Sequence, residues 1–399
     1  MKKILVFLLI TMLILTTAGC GAKPATSPET PGDTATDSET DPSSDSDSSD
    51  FKIGIVTGTV SQGEEEFRAA EAMVAEYGDM IKHITYPDKF AQETETTISQ
   101  VQSLASDPDV KAIVFVQAIP GAAAAMDAVR ETRPDMLFIL GAPHEDPEVA
   151  ASRADIILEL DQLQRGASVM QMAKDMGAKT FVHYSFPRHM SYELLSARRD
   201  ALKASADSIG IEFVEVDAPD PTSEAGVPGS QQFIMEDVPR QVDKYGKDTA
   251  FFSTNCSMME PIIIQSLELG AIFPEQCCPS PYHAYPGALG IEIPADKAGD
   301  LDFLSAQISE KVAEKGGTGR FGTWNKPANV AMIEAGVEYA KAFAKGEIDR
   351  FDPEAMQEFV KQVTDDKNNE VKFSVLDLKD EVDNYNGNFL LFVLGSQIF

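Results

Sequence analysis

The sequence predicts an α/β protein made of two doubly wound parallel-sheet lobes joined by hinge strands, set behind a signal peptide and a disordered tether. Three observations carry this expectation. Apolar runs of strand length alternate with longer amphipathic stretches, the pattern of strand–helix–strand crossovers in a parallel sheet. A second series of the same alternation starts after residue 160. Finally, residues 51–399 are too many for one small core and suit two lobes of ordinary size.

Residues 1–19 read as a lipoprotein signal peptide. Lys2 and Lys3 precede an apolar run from Ile4 to Leu15, too short to span a bilayer comfortably, and Ala18-Gly19 lead into Cys20. The arrangement resembles a bacterial lipoprotein signal, which implies a diacylglycerol on the Cys20 thiol after cleavage. Thr17 departs from that pattern, which usually carries leucine there, and an ordinary secretory signal cut nearby is the alternative. Residues 20–50 follow as a lipidated cysteine and an acidic Ser/Thr/Pro tether. From Gly21 to Asp50 there is no aromatic or branched aliphatic residue to offset the entropy of ordering. Such a tether spans on the order of 30 Å. The expected location is the extracytoplasmic face of the cell membrane, held by lipid.

The formal net charge is −31. Phosphate binding needs clustered Lys and Arg, so no nucleic acid is expected as a partner, and direct adsorption to anionic lipid is disfavoured.

In the body, Ile53–Thr57 is the first strand and Gly63–Tyr77 the first helix, with Phe67, Ala70, Met73 and Val74 on one face. Ile81–Tyr86 is the second strand, before a helix from Phe90 to Ser106. Val110–Val116 is nearly all apolar and β-branched, the mark of a strand buried on both faces. An alanine-rich helix over Pro120–Thr132 and a strand over Met136–Leu140 follow. The second series begins with Ile156–Leu160 and the helix Gln162–Met176, stopped by Gly177. Its strands are Thr180–Tyr184, Ile211–Val216 and Ala250–Ser253. Helices near Met190–Ser208, Gln231–Tyr245 and Ser257–Leu269 separate and close them. Later come a strand at Leu289–Ile293, helices over Asp300–Lys315 and Ala328–Ala344, and a buried segment at Phe389–Leu394. The expected division is 51–160 plus about 290–325 for the N-terminal lobe, and 161–289 plus about 326–399 for the C-terminal lobe.

The run Ile53-Gly54-Ile55-Val56-Thr57-Gly58-Thr59 looks like a first strand and cleft loop, and Leu160-Asp161-Gln162 followed by Gly166 looks like a first hinge crossing. With the order of elements, these make the stretch from about Lys52 to Glu334 resemble the type I periplasmic binding-protein superfamily. Within it the chain is most similar to uncharacterised clostridial-type lipoproteins, and more loosely to the basic membrane lipoproteins that bind nucleosides. The resemblance implies an unreacted ligand held between two lobes and handed to the permease of an ABC-type importer. The partners expected are a small polar ligand such as a sugar or nucleoside, that permease, and the membrane through the lipid anchor. A ligand-sensing module for a membrane receptor is the alternative, an extracytoplasmic enzyme on the same scaffold a more distant one; no cofactor is expected.

In open parallel sheets ligands sit beyond the carboxyl ends of the strands. That rule selects Thr57, Gly58 and Thr59 after the first strand, Gln117 after the third, and Asn255 and Tyr282 in the second lobe. The run His183-Tyr184-Ser185-Phe186-Pro187-Arg188-His189 is the strongest cluster. Tyr184 and Phe186 offer rings for stacking, Arg188 a guanidinium and His189 an imidazole, against the alternative that the rings pack inside and Arg188 pairs with a surface acid. Asn255 either meets a hydroxylated ligand or caps the next helix. Trp324, the sole tryptophan, either lids the cleft or pins its loop.

Gly58-Thr59-Val60-Ser61-Gln62-Gly63 has the glycine spacing of a phosphate loop, but Glu64 and Glu65 stand where that loop needs Lys and Ser or Thr. Glu64–Glu66 instead suit the first helix dipole. Cys256, Cys277 and Cys278 are an odd number for an exported body. The expectation is buried or disulfide-linked thiols and no metal. A zinc site with His283 is the alternative, although the spacing matches no common zinc module. No catalytic constellation is evident among the carboxylates and five histidines.

Overall fold

The computed structural model describes residues 51–399 apart from 295, 296, 298, 367–369 and 384. Residues 1–50, where a signal peptide, a lipidated Cys20 and a tether are expected, lie outside the described residues. Along the chain, β1 (Lys52–Thr57), β2 (Ile81–Thr85), β3 (Val110–Val116), β4 (Leu137–Gly141) and β5 (Ile156–Leu160) form the first series. β6 (Thr180–Ser185), β7 (Glu212–Asp217) and β8 (Thr249–Ser253) form the second. Then come β9 (Gly322–Trp324), β10 (Lys372–Val375), β11 (Phe389–Val393) and β12 (Ser396–Ile398).

The first sheet runs β10-β11-β5-β4-β3-β1-β2. It is parallel except for the edge strand β10, which is antiparallel to β11. β3 shows why its sequence reads as a continuous apolar run. Ala112, Val114 and Val116 face a core shared with Ile333 and Ala340 of the helix Ala328–Ala344. Ile113 and Phe115 face the opposite core, with Val101, Leu104, Met126 and Val129. Both faces of the strand are therefore covered, as a doubly wound sheet requires.

The second sheet, β7-β6-β8, is also parallel. Val182 and Tyr184 of β6 face Ile234, Ile262 and Ile263 on one side. Phe181 faces Val169, Met170, Leu202 and Ala206 on the other. There the helices Gln162–Asp175 and Glu193–Ile209 approach so closely that a Cβ on Gly166 would sit 2.3 Å from that of Ala201.

The chain passes between the lobes three times. β5 leads through Asp161 into the helix Gln162–Asp175. Phe321 belongs to the second-lobe core, whereas Trp324 and Ala328 belong to the first. Leu394 is in the first core and Phe399 in the second. β9 and β12 pair antiparallel at this junction.

The expected lobe assignment is reversed near the C-terminus. The helix Leu301–Glu314 contributes Leu304, Ile308 and Val312 to the second lobe, not the first. The helix Ala328–Ala344 and strands β10 and β11 complete the first lobe, not the second. The apolar stripes of these elements are equally suited to either sheet, so only the crossing between Phe321 and Trp324 decides. The strand expected at Leu289–Ile293 is absent: Tyr285–Leu289 is a short helix ended by Gly290 in the left-handed region, φ 64°.

Candidate functional site

The loops beyond the carboxyl ends of β3, β4, β6 and β8 meet at the gap between the lobes and enclose a cavity of about 60 Å³. The first lobe supplies Tyr86, Gln117, His144 and Glu159, and the second supplies His189, Tyr192, Arg198 and Cys256. Two non-glycine residues of the wall, Gln117 (φ 48°) and Ala142 (φ 47°), lie in the left-handed region. Such strain persists only where surrounding structure imposes it, and it gathers at ligand sites.

Arg198 is the main charged donor. It is fully buried, gives one bond of 2.7 Å from Nη1 to Gln162 Oε1, and lies 5.0 Å above the Phe252 ring. Its Nε and Nη2 have no partner. Burial, and then the charge of Arg165, bring its pKa down to about 10. A buried guanidinium with two free donors at a cavity wall is an acceptor-seeking group. Opposite in charge is Glu159, whose Oε1 accepts from Leu160 N and Gln162 Nε2, each at 2.8 Å. Burial pushes that carboxyl up to about 7.

His144 and His189 face each other across the lobes with ring centroids 6.3 Å apart, each 5.5 Å from the Tyr192 ring. His189 Nδ1 bonds Thr254 Oγ1 at 3.0 Å, while His144 Nδ1 is unpartnered. Burial holds both imidazoles neutral, His144 down at about 3 and His189 well below its ordinary value.

Beyond Gln62 and Cys256, which border both spaces, a second chamber of about 350 Å³ opens. Its wall carries Glu64, Glu65, Glu66, Glu260, Tyr282 and His283. Glu65 and Glu66, expected as partners of the first helix dipole, are buried here instead. Both Glu65 oxygens lack a hydrogen bond of proper geometry, although Ser280 is near enough to ease its charge. Burial raises Glu65 to about 8. Glu66 is held by Gln117 and Asn329. Of the two expected states, buried or disulfide-linked, the three body cysteines show unbridged thiols, Cys277 buried and Cys256 and Cys278 half-buried.

Of the residues chosen from sequence, Gln117, His189 and Asn255 line the cavity and Tyr282 lines the acidic chamber. Asn255 also caps, its Oδ1 accepting from Ser257 N at 2.9 Å and Ser257 Oγ at 2.7 Å. The others go elsewhere. Thr57 is buried against Gly58 O and His83 Nε2, Gly58 packs under Tyr86, and Thr59 bonds Ser61 and Asp88 at the surface. Tyr184 points into the core, bonded to Asp237 at 3.0 Å, and Phe186 is buried beside it. Arg188 is claimed by Asp220 at 2.7 and 2.9 Å and lies 5.4 Å over Phe90 of the first lobe, which pins the lobes together. Trp324 is buried at the crossing with Arg165 5.6 Å from its ring, so it pins and does not lid. A strand-end position names a neighbourhood, but the alternation of side chains along the strand decides which enter it.

Arg198 escaped selection because it lies inside a helix, away from strand ends. Its trace in the sequence is its spacing: Arg198, Leu202 and Ala206 share one buried helical face, where a guanidinium is out of place. Arg165, ahead of Val169 and Ala173, repeats that trace.

A family model described as "Protein of unknown function (DUF3798)" matches residues 51–322. Two uncharacterized proteins of Treponema pallidum (strain Nichols) are similar to the chain. One is 39% identical over 179 residues, 43% of this chain and 81% of the relative. The other is 38% identical over 170 residues, 43% of this chain and 79% of the relative. A crystal structure from Clostridium difficile 630, provisionally named a transcriptional regulator, is 27% identical with a TM-score of 0.67, over 88% of this chain and 99% of that one. An ABC transporter periplasmic solute-binding protein from Actinobacillus succinogenes 130z, solved with bound D-allose, is 13% identical with a TM-score of 0.52, over 77% and 99% of the two chains. That likeness shows the two-lobed fold of periplasmic binding proteins.

Proposed function

The chain belongs to the DUF3798 family, which carries no assigned activity, and from its fold and cleft we propose that it is a binding protein that captures a small polar solute between its lobes. The carrying observation is the buried Arg198, which lines a cavity walled by both lobes and keeps two donors, Nε and Nη2, without a partner. The fold shared with a solute-binding protein that holds D-allose supports the same reading. Gln117, Gln162, His144 and the Tyr192 ring complete a set of donors, acceptors and stacking surface suited to a hydroxylated or carboxylated molecule. The solute reaches both lobes only when they close about the three crossings, so binding shifts the open and closed populations.

In this reading the chain is not an enzyme. It is anchored through Cys20 at the extracytoplasmic face of the membrane and delivers its solute to an ABC-type permease. A second reading uses the same cleft, with closure signalling to a membrane receptor instead. The two share the binding step and differ in the partner, which crosslinking of the closed form in intact cells identifies.

Mass spectrometry of the purified chain under native conditions, followed by thermal-shift ranking of compounds related to what copurifies, tests the binding step. The bound solute should raise the melting temperature. Arg198→Met should weaken binding about 10- to 100-fold, the worth of one or two hydrogen bonds to a charged group. An Arg198→Met protein that binds as tightly as the parent would refute the assignment.

A further inference from the structure

Three thiols converge at the edge of the cleft, and solute capture makes no use of them. Cys256 Sγ is 3.2 Å from Cys277 Sγ and 3.6 Å from Cys278 Sγ. A ligand atom of His283 lies with the sulfurs of Cys256 and Cys277 inside a group whose members are all within 4.8 Å of one another. Around a tetrahedral zinc ion, with Zn–S about 2.3 Å and Zn–N about 2.0 Å, donor atoms stand roughly 3.5 to 3.8 Å apart. The observed spacings bracket that range.

The loop carrying these donors is held rigidly. Arg165, wholly buried, donates to the carbonyls of Gln276 and Cys277 at 2.9 Å each, and its charge is met by Glu275 at 2.6 Å. Gln276 Nε2 returns across the loop to the carbonyls of Ser280 and His283. His283 Nδ1 bonds the Cys278 carbonyl at 2.6 Å. Since a carbonyl only accepts, that nitrogen carries the proton and Nε2 keeps a lone pair. Metal-bound histidines are oriented by this kind of bond from the other ring nitrogen. A buried cysteine that merely fills space needs no imidazole and no second sulfur beside it. Cys256 and Cys278 are, moreover, only half-buried, at the cavity wall. Approach to the cluster is through the chamber lined by Glu64, Glu65, Glu66 and Glu260; the exposed Glu64 carries the charge that attracts cations and repels anions, while burial favours the neutral form of Glu65.

We infer that Cys256, Cys277 and His283 form a binding site for one thiophilic divalent cation of the zinc type, which Cys278, 3.6 Å from Cys256 but outside that close group, completes as a fourth donor by moving nearer. All four donors belong to the second lobe, so the site stands whether or not a solute fills the cleft. Thiolate and imidazole donors select zinc-like ions over magnesium or calcium.

The full chain, reduced and freed of metal, is titrated with Zn2+, and with Co2+ as a spectroscopic probe. One Zn2+ per chain is expected, with a thiolate-to-cobalt charge-transfer band and the intense visible bands of tetrahedral Co2+. Cys256→Ser and Cys277→Ser should each weaken binding at least about tenfold, the loss that even an outer-shell change brings. X-ray absorption at the zinc edge of the unaltered chain needs no variant and should count two or three sulfur neighbours. The inference is overturned if the reduced chain takes up no stoichiometric zinc, if absorption finds only nitrogen and oxygen neighbours, or if the folded Cys256→Ser/Cys277→Ser protein binds as the parent does. Solute-induced stabilisation in metal-free protein separates this outcome from failure of solute capture.

Discussion

His183 lies wholly inside the second lobe between Phe213 and Phe252, ring centroids 5.8 and 5.9 Å away, with neither nitrogen hydrogen-bonded. Burial foremost, then the charges of Arg198 and Arg199, depress its pKa to about 3, against an ordinary value near 6.5. Between those values the unfolded chain binds the proton and the folded chain does not, so stability rises with pH through this window and falls as pH drops. At pH 5 the cost for this one group is about 2 kcal/mol. His183→Phe, which keeps the stacked ring, should recover about that much at pH 5 and change little at pH 7.5, as read from urea midpoints at both. An unchanged loss on acidification would mean that His183 does not titrate on unfolding. The same burial explains what could be read at this scale. Gln117, His189 and Asn255 were legible as cleft residues because strand ends point there. For Tyr184 and Phe186 the choice between cleft and core was not legible, because an aromatic ring reads identically whichever it faces; both lie in the core.

At the scale of elements, the helices Gln162–Asp175 and Glu193–Ile209, which together carry Arg165 and Arg198, meet closely at Gly166. Gly166→Ala would place a methyl 2.3 Å from Ala201 Cβ and 3.1 Å from the backbone of Ala201 and Leu202. Backbone cannot swing aside as a side chain does, so the helices must separate, at a cost of about 1–3 kcal/mol. A lowered denaturation midpoint checks this; an unshifted one would show that the pair slides without penalty. Most strands were legible because burial on both faces leaves continuous apolar runs, as in Val110–Val116. β9 and β12, three residues each, are too short for any periodicity to appear. The lobe assignment of the late helices was not legible, because an amphipathic stripe records that a sheet covers it but not which sheet.

At the scale of the whole molecule, the sole tryptophan sits at a crossing between the lobes, under the Arg165 guanidinium. Its emission therefore reports on the junction without interference from any other indole. Hinge closure should shift the intensity or wavelength of that emission in step with solute binding. Saturable binding with a constant spectrum would mean that the crossing stays fixed while ligand enters. The topology carries one more consequence. β5, ending at Leu160, gains its outer neighbour only when Phe389–Val393 arrives, after all of the second lobe but its C-terminal end at Phe399 has been made. During translation the nascent first lobe must wait with a bare apolar margin, while the later-made lobe has most of its strands and helices in hand. Slow ribosomes or scarce chaperones should therefore harm the N-terminal half of this protein first.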